Sequence, residues 1–295
     1  MVTGAARGLG AEIARQLRDA GYRVVAADVV APSDAGPAPG PGIEPRVLDV
    51  TDPDACRALA REVRPHVWVN NAGVLGPGDA ATQPDEVLER VVAVNVLGVM
   101  HGTRAAVEVM RERDGGRGEG HVITVGSLAS WVPVPGETVY GATKAAALSF
   151  TLGLLGELRA AGASGVRLSV LCPDGMLTPM ITETLHEDAV ALSFSGTRLV
   201  TVQEVAARAV RLLERPRPIA SVPRWRGAQV RVFGAVPDLV LRALPVFTAM
   251  GRAQQAKVRA RLGAPGQAQP AVTPSAATSG LGAASPGAAP GFSET

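Results

Sequence analysis

Short apolar runs alternate with longer amphipathic segments over the first 214 residues of the chain. The runs have the length of buried β-strands, and the segments between them carry apolar residues at the spacing of three and four that one helix face requires. Strands that alternate with helices in this way are typical of a parallel sheet with helices on both faces. The pattern therefore predicts an α/β fold built on a doubly wound parallel sheet.

The predicted strands cover residues 1–2, 22–28, 47–50, 67–73, 121–127 and 166–171. The predicted helices cover residues 11–20, 53–63, 91–99, 140–158 and 202–214. Asp52 and Thr201 precede two of these helices and are residue types that cap a helix N-terminus. Only Met1 and Val2 precede a glycine-rich turn, so we expect either a truncated first strand or a sequence that begins late.

Three segments lack this regular pattern. Residues 32–45 are rich in proline and glycine and are predicted to form a loop in place of a crossover helix. Residues 181–198 are mixed in character, and we expect them to form a mobile lid. From residue 263 to 295 the chain consists almost wholly of Gly, Ala, Pro, Ser, Thr and Gln, which predicts a disordered tail.

A glycine-rich turn joins the first predicted strand to the first predicted helix. Its positions are Thr3, Gly4, Arg7, Gly8, Leu9 and Gly10. Glycines let the backbone approach a pyrophosphate closely, and the N–H groups and dipole of a helix N-terminus stabilise its negative charge. A glycine turn alone is a weak signal, because many tight turns use glycine. Here a second strand follows and ends in a carboxylate, so the unit predicts a dinucleotide site.

Asp28 ends that second strand, eighteen residues after Gly10. This spacing is close to that expected for an acid that binds a ribose 2′-hydroxyl. A carboxylate there repels a 2′-phosphate, so Asp28 favours NAD over NADP, although Arg7 favours NADP weakly. The alternative is that Asp28 is a simple turn residue at a strand end.

The chain contains only three asparagines, and two of them, Asn70 and Asn71, follow the strand that begins at Val67. The third, Asn95, lies in a predicted helix among apolar side chains. A buried amide is costly unless it is hydrogen-bonded, so Asn95 predicts a network with backbone groups or water. Ser127 ends the fifth predicted strand, and ligands bind beyond the carboxyl ends of strands in open parallel sheets.

Tyr140 and Lys144 lie four residues apart at the start of a predicted helix. The chain has two tyrosines and two lysines but 27 arginines, so an ordinary surface cation at position 144 would be expected to be arginine. Residues four apart share one face of a helix, which brings an ammonium group close to a phenol. Such a pair can act as a general acid and base. The alternative is a tyrosine that packs at the helix start beside a solvated lysine.

Composition narrows the class of protein. Hydrophobic residues make up 46% of the chain, which is enough for a sizeable core. Cys56 and Cys172 lie far apart and lack metal-ligand spacing, so neither a disulfide framework nor a zinc site is expected. The sequence shows no secretory signal and no run of eighteen apolar residues. We therefore expect a soluble, cytoplasmic protein without a metal ion.

The net charge of +2 is unevenly spread. Residues 216–262 contain nine basic side chains and one acidic side chain, Asp238. A solvated basic helix is the simplest explanation, and contact with an anionic surface is the alternative. No nucleic-acid motif or interleaved aromatic residues accompany these charges, so a DNA or RNA partner is not expected.

Three regions are predicted along the chain. Residues 1–225 form the domain with the parallel sheet, residues 226–262 form a basic amphipathic extension, and residues 263–295 form the tail. The stretch 230–262 has an apolar face, prolines at positions 237 and 245 and a basic end. It could cover a substrate pocket, support a subunit interface or lie on an anionic membrane surface. Packing in the core or in an interface is favoured over the membrane.

These motifs resemble those of the short-chain dehydrogenase/reductase family from Thr3 to about Glu214. The Thr-Gly-x-x-x-Gly-x-Gly turn and the Asn-Asn-Ala-Gly sequence both match the family pattern. The stretch up to Val29 is especially similar to NAD-linked hydroxysteroid dehydrogenases of this family. The resemblance implies a Rossmann-type fold and an oxidoreductase that interconverts a secondary alcohol and a ketone. It also implies a small-molecule substrate and a homodimer or homotetramer.

The resemblance assigns site residues as well. The active-site residues would be Asn95, Ser127, Tyr140 and Lys144. The cofactor-binding residues would be Thr3, Gly4, Arg7, Gly8, Leu9, Gly10, Asp28, Asp49, Val50, Asn71, Ala72, Gly73, Tyr140, Lys144, Pro173 and Thr178. The expected cofactor is NAD, with NADP as the less favoured choice.

A tyrosine has an ordinary pKa near 10, so a base around neutral pH needs that pKa lowered by about two to three. We expect Lys144 and the positive nicotinamide ring to lower the pKa of Tyr140. Ionised Tyr140 would take the proton of the substrate hydroxyl while hydride leaves the same carbon, and Ser127 would hold the developing carbonyl oxygen. By resemblance, Lys144 also binds the nicotinamide ribose, and Asn95 positions water that passes the proton to solvent.

Two features depart from the family pattern. Asp174 separates Pro173 from Gly175, where family members usually have Pro-Gly, and it either binds substrate or reshapes the turn. The C-terminal stretches 224–233 and 239–250 do not match the family's usual short ending.

Residues 128–135 and the lid are expected to form the walls of the substrate pocket. They are mostly aliphatic, with Trp131 among them, and they favour a hydrophobic alcohol or ketone. Two other functions stay open: a cofactor-sensing or scaffold protein without the chemistry, and an epimerase or dehydratase that regenerates its nicotinamide in each cycle. The complete set of four active-site residues disfavours the sensor.

Overall fold

The computed structural model describes residues 1–30 and 41–263, and within these ranges seven strands and nine α-helices follow one another. The strands are β1 (Val2–Thr3), β2 (Val24–Asp28), β3 (Ile43–Val47), β4 (Val67–Asn70), β5 (Gly120–Val125), β6 (Val166–Pro173) and β7 (Ile219–Val222). The helices are α1 (Gly8–Asp19), α2 (Pro53–Val63), α3 (Asp85–Val92), α4 (Gly98–Arg111), α5 (Thr138–Ala160), α6 (Pro179–Thr182), α7 (Val202–Glu214), α8 (Arg224–Gly234) and α9 (Pro237–Leu262). Residues 32–40 of the predicted loop and residues 264–295 of the predicted tail lie outside the described ranges.

All seven strands pair in parallel in one sheet with the order β3-β2-β1-β4-β5-β6-β7. The chain first builds outward from β1 to one edge and then returns to build from β4 to the other edge. The predicted doubly wound parallel sheet is therefore confirmed. This change of direction leaves a crevice beyond the carboxyl ends of β1 and β4, which is where open sheets of this kind bind ligands.

Two hydrophobic clusters cover the two faces of the sheet. On one face, α2, α4 and α5 pack over the sheet, with Trp68 and Met110 at the centre of the cluster. On the other face, α1 packs against α7, and Val2, Ile13 and Leu212 are fully buried. Burial of one side chain of this size contributes about 1.5–3 kcal/mol. The clusters thus hold the central strands whose carboxyl ends carry the polar motifs.

The third strand lies earlier in the chain than predicted. It covers Ile43–Val47 rather than residues 47–50, and Pro45 lies within it, opposite Ala26 of β2. β3 is at the edge of the sheet, and a proline is tolerated in an edge strand because its missing N–H can face away from the neighbouring strand. The proline and glycine content that predicted a loop as far as Pro45 concealed the strand.

The two predicted N-caps are confirmed. The Asp52 carboxylate accepts hydrogen bonds from the N–H groups of Asp54 and Ala55 at the start of α2, at 2.8 and 3.0 Å. Thr201 forms a reciprocal capping box with Glu204 at the start of α7. Each cap satisfies N–H groups that have no partner inside the helix.

The predicted helix over residues 91–99 is divided in the structure. α3 ends at Val92, one π-helical turn covers Ala93–Leu97, and α4 begins at Gly98. A π-helical turn inserts an extra residue into a helix and often marks a functional site. Asn95 lies at the centre of this turn.

The C-terminal helices pack against the rest of the described chain. α8 contacts β7, and α9 contacts the segment 188–194. The buried Gln255 side chain of α9 donates hydrogen bonds to the carbonyl oxygens of Leu185 and Glu187, at 2.9 and 2.7 Å. The segment predicted to be a lid is therefore anchored to α9, and its mobility stays a prediction. No helix within the described ranges is long and apolar enough to cross a membrane.

Candidate active site

A cavity of about 150 Å³ opens beyond the carboxyl ends of β5 and β6. Its walls come from the segment after β5, the start of α5, the segment after β6, and the helices α8 and α9. Most of the lining is apolar, including Leu75, Leu128, Val132, Met180, Ile181, Val230, Phe233, Val240, Leu244 and Phe247. The polar side chains in the lining include Ser127, Glu137, Tyr140, Asp174, Ser193 and Arg226. A mostly apolar cavity with a few convergent polar groups is the usual form of a small-molecule site.

Tyr140 lies in the first turn of α5, with Lys144 one turn later. The Lys144 ammonium is 5.4 Å from the centroid of the Tyr140 ring and donates a hydrogen bond to the Val125 carbonyl oxygen at 3.0 Å. Lys144 is buried, whereas Tyr140 is only partly buried and lines the cavity. The fold therefore puts the phenol at the cavity wall and the ammonium behind it.

The surroundings change the acidity of both groups. Burial lowers the pKa of Lys144 to about 8. Burial also raises the pKa of Tyr140, the neighbouring Glu137 carboxyl raises it further, and the Ser127 hydroxyl acts in the opposite direction. The protein groups around Tyr140 thus raise its pKa. The physical reason is that the phenol is desolvated and lies beside the Glu137 carboxyl, both of which disfavour a negative charge on the ring oxygen. The lowering expected from Lys144 together with a bound nicotinamide ring stays a prediction.

Ser127 follows β5 and caps a short helical turn over Leu128–Ser130. Its hydroxyl oxygen accepts a hydrogen bond from the Ala129 N–H at 3.1 Å. Serine is favoured at such a cap because its side chain satisfies a free backbone donor. Since Ser127 lines the same cavity as Tyr140, the cap also fixes a hydroxyl beside the phenol.

Asn95 is fully buried, and its side-chain hydrogen bonds all run to other segments of the chain. Its amide accepts from the Val74 N–H and donates to the Val74 carbonyl oxygen, both at 2.9 Å, and donates to the Thr143 hydroxyl at 3.1 Å. The Thr143 hydroxyl donates in turn to the Tyr140 carbonyl oxygen at 2.7 Å. The expected backbone network is therefore confirmed, and it ties the π-helical turn to the start of α5.

Gly73 lies where three parts of the candidate site converge. A Cβ atom at this position would be 3.2 Å from the Asn95 Oδ1 atom and 3.5 Å from the Lys144 Nζ atom. The absence of a side chain lets the segment after β4 pass close to both groups.

The glycine turn is fastened to the end of β4. Gly4 and Gly8 have φ angles of 61° and 60°, in the left-handed region that favours glycine. The Asn71 side-chain amide donates to the Thr3 and Gly4 carbonyl oxygens at 3.0 and 2.9 Å. The Thr3 hydroxyl accepts from the N–H groups of Asn71 and Ala72, both at 3.1 Å. We call the glycine turn of residues 3–10, together with the start of α1, the cradle. Its shape is therefore fixed by contacts between Thr3, Asn71 and Ala72.

The start of α1 fits a bound pyrophosphate. No side chain caps this helix and no acid lies in its first turn, so its first N–H groups and its dipole are left for an anion. A side chain at Gly10 would collide with the Gly4 carbonyl oxygen, so glycine is required for the close packing of turn and helix. The Leu9 side chain is buried and anchors the turn in the core. The residues present therefore fit a dinucleotide.

Asp28 and Arg7 flank this cradle. The two oxygens of the Asp28 carboxylate accept from the N–H groups of Ala6 and Val30, at 2.9 and 3.3 Å. The exposed Arg7 guanidinium forms an ion pair with Glu183, which follows α6. The arginine that favoured NADP in the sequence is therefore engaged with a carboxylate.

Asp49 and Val50 follow the carboxyl end of β3, the strand next to the one that ends at Asp28. The exposed Asp49 carboxylate accepts from the Thr51 N–H and hydroxyl, at 2.8 and 2.7 Å. Val50 is buried, and a Cβ atom at Gly98 would lie 2.7 Å from its Cγ2 atom. The structure thus places Val50 against the start of α4 and leaves Asp49 accessible.

The segment after β6 reaches both the cavity and the glycine turn. Pro173 ends β6, and Thr178 precedes α6. A Cβ atom at Gly8 would be 3.9 Å from the Thr178 Cβ atom, so Thr178 faces the glycine turn. Asp174 forms an ion pair with Arg226 of α8, with Nε and Oδ2 3.1 Å apart. The two departures from the family pattern, Asp174 and the C-terminal stretch, therefore contact each other.

The structure corrects the predicted walls at Trp131. Leu128 and Val132 line the cavity as expected, but Trp131 does not. Its ring packs in the cluster with Val230, and the Arg231 guanidinium lies 4.8 Å from the ring centroid. α8 therefore covers the tryptophan and takes its place as part of the wall.

Sequence reasoning also missed several lining residues. Glu137 stands three residues before Tyr140, and Ser193 lies in the predicted lid, yet neither was singled out. The lining residues of α8 and α9 are separated from the active-site motifs by more than 80 residues. The apolar face of the C-terminal stretch was the only signal for them, and three explanations of that face were open.

Comparison with known proteins bears directly on this arrangement. A family model described as short chain dehydrogenase matches residues 1–189 of the chain. Probable oxidoreductase EphD from Mycobacterium tuberculosis is 37% identical over 193 residues, which cover 62% of this chain and 32% of that protein. Estradiol 17-beta-dehydrogenase 11 from Rattus norvegicus is 35% identical over 147 residues, which cover 48% of each chain. The chain thus spans about a third and about half of the lengths of these two relatives.

A solved structure shares the fold. The crystal structure of a short chain dehydrogenase/reductase from Burkholderia phymatum in complex with NAD is 26% identical, with a TM-score of 0.68. The match covers 82% of this chain and 93% of that chain.

Proposed function

Because the chain belongs to the short-chain dehydrogenase family, we propose that it is an oxidoreductase that interconverts a secondary alcohol and a ketone with a nicotinamide cofactor. One observation carries the proposal: Ser127 and Tyr140 line the same apolar cavity, with the Lys144 ammonium 5.4 Å from the Tyr140 ring. A hydroxyl, a phenol and a buried cation at one wall are what proton transfer to or from an alcohol oxygen requires.

The crevice at β1 and β4 would hold the cofactor. Gly8, Leu9 and Gly10 would face its pyrophosphate, because the start of α1 carries uncapped N–H groups. The Asp28 carboxylate would accept hydrogen bonds from the ribose hydroxyls, and its charge supports NAD over NADP. The ion pair of Arg7 with Glu183 supports the same preference, because Glu183 neutralises the guanidinium group that could otherwise bind a 2′-phosphate.

The remaining predicted contacts with the cofactor belong to the same proposal. Asp49 is exposed and Val50 is buried beside it, a placement that suits contact with the adenine end. Gly73 and Thr178 lie close to Lys144 and to Gly8, respectively. Lys144 would bind the nicotinamide ribose through its ammonium group. When bound, the nicotinamide supplies the hydride chemistry at the substrate carbon.

Tyr140 is the proposed general acid and base. In the oxidative direction, its ionised hydroxyl would accept the proton of the substrate hydroxyl, and Ser127 would donate a hydrogen bond to the oxygen as it becomes a carbonyl. Because burial raises the Tyr140 pKa, ionisation depends on positive charge close to the ring. Lys144 is that charge, since burial lowers its pKa only to about 8.

Asn95 is proposed to position these groups. Its amide binds the Val74 backbone and the Thr143 hydroxyl, and Thr143 binds the Tyr140 carbonyl oxygen. This network holds the start of α5 against the segment after β4. The further role predicted for Asn95, to position water that passes the proton to solvent, stays a prediction.

The lining of the cavity supports a hydrophobic substrate. Its aliphatic and aromatic side chains come from both the family core and the C-terminal helices, including Leu128, Val132, Phe233 and Phe247. Apolar surface removed from water contributes about 25 cal/mol per Å² to binding. A cyclic or branched secondary alcohol would therefore bind better than a polar sugar.

The test is a screen of aliphatic, terpenoid and steroid secondary alcohols with NAD and with NADP. Net formation of reduced cofactor, with a preference for NAD, supports the proposal. Cofactor binding without turnover of any alcohol would contradict it and favour a cofactor-sensing protein. Conversion of a substrate without accumulation of reduced cofactor would contradict it in favour of an epimerase or dehydratase.

A further inference from the structure

Glu137 is a buried acid in the wall of the apolar cavity. It is 2% exposed and lies immediately before α5, three residues from Tyr140. The Ser193 hydroxyl donates a hydrogen bond to its Oε1 atom at 2.6 Å. Both side chains line the cavity, so the pair forms a polar spot beside the proposed reacting centre.

The carboxyl group has capacity for another partner. Within residues 1–30 and 41–263, Ser193 is the sole group that hydrogen-bonds the Glu137 side chain, and no cation pairs with it. A carboxyl group can accept several hydrogen bonds, and a buried polar group with unused capacity costs free energy. Burial raises the pKa of Glu137 to about 7, because the hydrogen bond from Ser193 does not offset the desolvation of the ionised carboxylate. A ligand that donates a hydrogen bond here would remove that cost.

We propose that Glu137 and Ser193 form a subsite for a second polar group of the substrate, a hydroxyl or an amine. This inference rests on the proposed function, because Tyr140 marks the carbon that reacts. Residues three apart at a helix start have Cβ atoms about 5–6 Å from each other. The second group therefore lies within a few bonds of the reacting carbon, as in a diol or an amino alcohol on an apolar ring.

The subsite is built by two separate parts of the chain. Glu137 is fixed by the start of α5, whereas Ser193 belongs to the segment that Gln255 of α9 anchors through Leu185 and Glu187. Sites that hydrogen-bond a substrate hydroxyl discriminate strongly against analogues that lack it. The C-terminal helices thus contribute to specificity through Ser193 as well as through the apolar wall.

Binding of three probes tests the subsite: cyclohexanol, trans-1,2-cyclohexanediol and trans-2-aminocyclohexanol. Ligand-observed NMR titrations with the NADH-loaded protein are expected to show both bifunctional probes binding about tenfold more tightly than cyclohexanol. Glu137→Leu should abolish both preferences. Glu137→Gln keeps a hydrogen-bond acceptor without charge, so it should keep the preference for the diol and lose that for the amine.

Equal binding of all three probes to the wild-type protein would overturn the subsite. Unchanged preferences in Glu137→Gln and Glu137→Leu would do the same, and Glu137→Gln alone decides the charge effect if the leucine variant does not fold. The Tyr140→Phe variant separates this inference from the proposed function. It should keep the probe preferences while losing turnover, so loss of one property does not imply loss of the other.

A second, independent inference concerns the outer faces of α8 and α9. Seven large side chains on these helices are each more than half exposed: Trp225, Val232, Leu239, Leu241, Val246, Met250 and Leu262. In α8 Trp225 and Val232 are seven residues apart, and in α9 Leu239, Val246 and Met250 are spaced by seven and then four. These five side chains therefore lie along one face of each helix, which we call the outer face, whereas Leu241 and Leu262 lie away from it. A different face of each helix, with Val230 and Phe233 in α8 and Val240, Leu244 and Phe247 in α9, lines the cavity.

The charges on these helices favour one kind of partner. Arg224, Arg242, Lys257 and Arg261 are exposed on α8 and α9, and Asp238 is the single acid of the two helices. A second copy of this chain would bring like charges together on such a face. Lipid headgroups of negative charge complement it, and tryptophan is favoured at the boundary between lipid and water.

We infer that the outer face of α8 and α9 rests on an anionic lipid surface. The cavity wall formed by the same helices would then lie next to the lipid, from which a hydrophobic substrate enters. The test is co-sedimentation with phosphatidylcholine vesicles that contain or lack phosphatidylglycerol. Binding is expected only with phosphatidylglycerol and should fall at least tenfold in the Leu239→Gln/Val246→Gln variant, since two large apolar contacts are lost.

Leu88→Gln is the matched control, because it changes an exposed leucine on α3 and should leave vesicle binding unchanged. Failure of the wild-type protein to sediment with phosphatidylglycerol vesicles would overturn the inference. So would a dimer in light scattering that the Leu239→Gln/Val246→Gln variant converts to a monomer, because the face would then be a subunit interface.

Discussion

The Nε atom of Arg226 lies 3.1 Å from the Oδ2 atom of Asp174. The two side chains are 11% and 12% exposed, and Arg226 also donates to the Gln229 side chain at 2.7 Å. The pair joins the end of β6 to α8, so the acid inserted after Pro173 has its partner in the C-terminal helices. Asp174 thus orders the wall of the cavity by holding α8 in place.

We predict that Asp174→Asn and Arg226→Met each lower the free energy of unfolding by about 3 kcal/mol, because either change leaves one buried charge without its partner. The double variant should recover most of that loss, since it leaves neither charge behind. Urea denaturation of the wild-type protein and the three variants measures this coupling. Single-variant losses below about 0.5 kcal/mol, as in exposed ion pairs, would contradict it.

Glu137 should make stability depend on pH. Its pKa is about 7 in the folded chain against an ordinary value of 4.5, so the folded state holds the proton more strongly than the unfolded state. The stabilisation from this group is complete below pH 4.5 and is lost as pH rises through 7, by roughly 3 kcal/mol. Tyr140 is the titratable neighbour, and it titrates above this window.

The measurement compares the unfolding free energies of the wild-type protein and Glu137→Gln at pH 5 and pH 8. The difference between the two proteins should shift in favour of the glutamine variant as pH rises. Taking this difference removes the contributions of other titrating groups. A constant difference across the range would show that the carboxyl is not the responsible group.

Asp28 should control the choice between NAD and NADP. Asp28→Asn keeps the shape of the side chain and removes the charge that repels a 2′-phosphate, so the ratio of the two dissociation constants should shift towards NADP by about tenfold. Fluorescence titration with both reduced cofactors measures the ratio. Glu86→Ala is the control, because it removes an exposed acid on α3 instead of the acid at the end of β2. An unchanged ratio in Asp28→Asn would refute the assignment.

Asn71 should matter for stability as well as for cofactor binding. Asn71→Ala leaves the Thr3 and Gly4 carbonyl oxygens without their side-chain donor, which should cost about 2 kcal/mol of unfolding free energy. The glycine turn should also lose its fixed position, so NAD affinity should fall. Thermal unfolding with and without NAD checks both effects, and an unchanged melting temperature would speak against the cradle described here.

Local patterns were sufficient to predict much of the fold. Asp52 and Thr201 cap their helices through contacts within three residues, so the sequence around each cap contains the information. The strand that ends at Asn70 and the strand that precedes Ser127 are apolar runs followed by polar residues, a pattern that does not depend on distant residues. The spacing of Tyr140 and Lys144 likewise follows from one helix.

Contacts between distant parts of the chain could not be predicted. Pro45 reads as a loop residue, and only the position of β3 at the sheet edge makes it acceptable in a strand. Trp131 was expected in the cavity, but α8 covers it. Glu137 became prominent only when the fold enclosed it against Ser193. In each case the deciding neighbour is remote in sequence, so no local pattern encodes it.

The most direct test of the account is the replacement of Tyr140 by phenylalanine, which removes the phenolic hydroxyl and keeps the ring that packs beside Lys144. With any alcohol that the wild-type protein oxidises, we predict that kcat falls by at least about a hundredfold, because the acid and base is lost. The dissociation constant of NAD should stay within about twofold, since the ring and the glycine turn are unchanged. Turnover retained at the wild-type rate in Tyr140→Phe would contradict the central claim that Tyr140 transfers the proton.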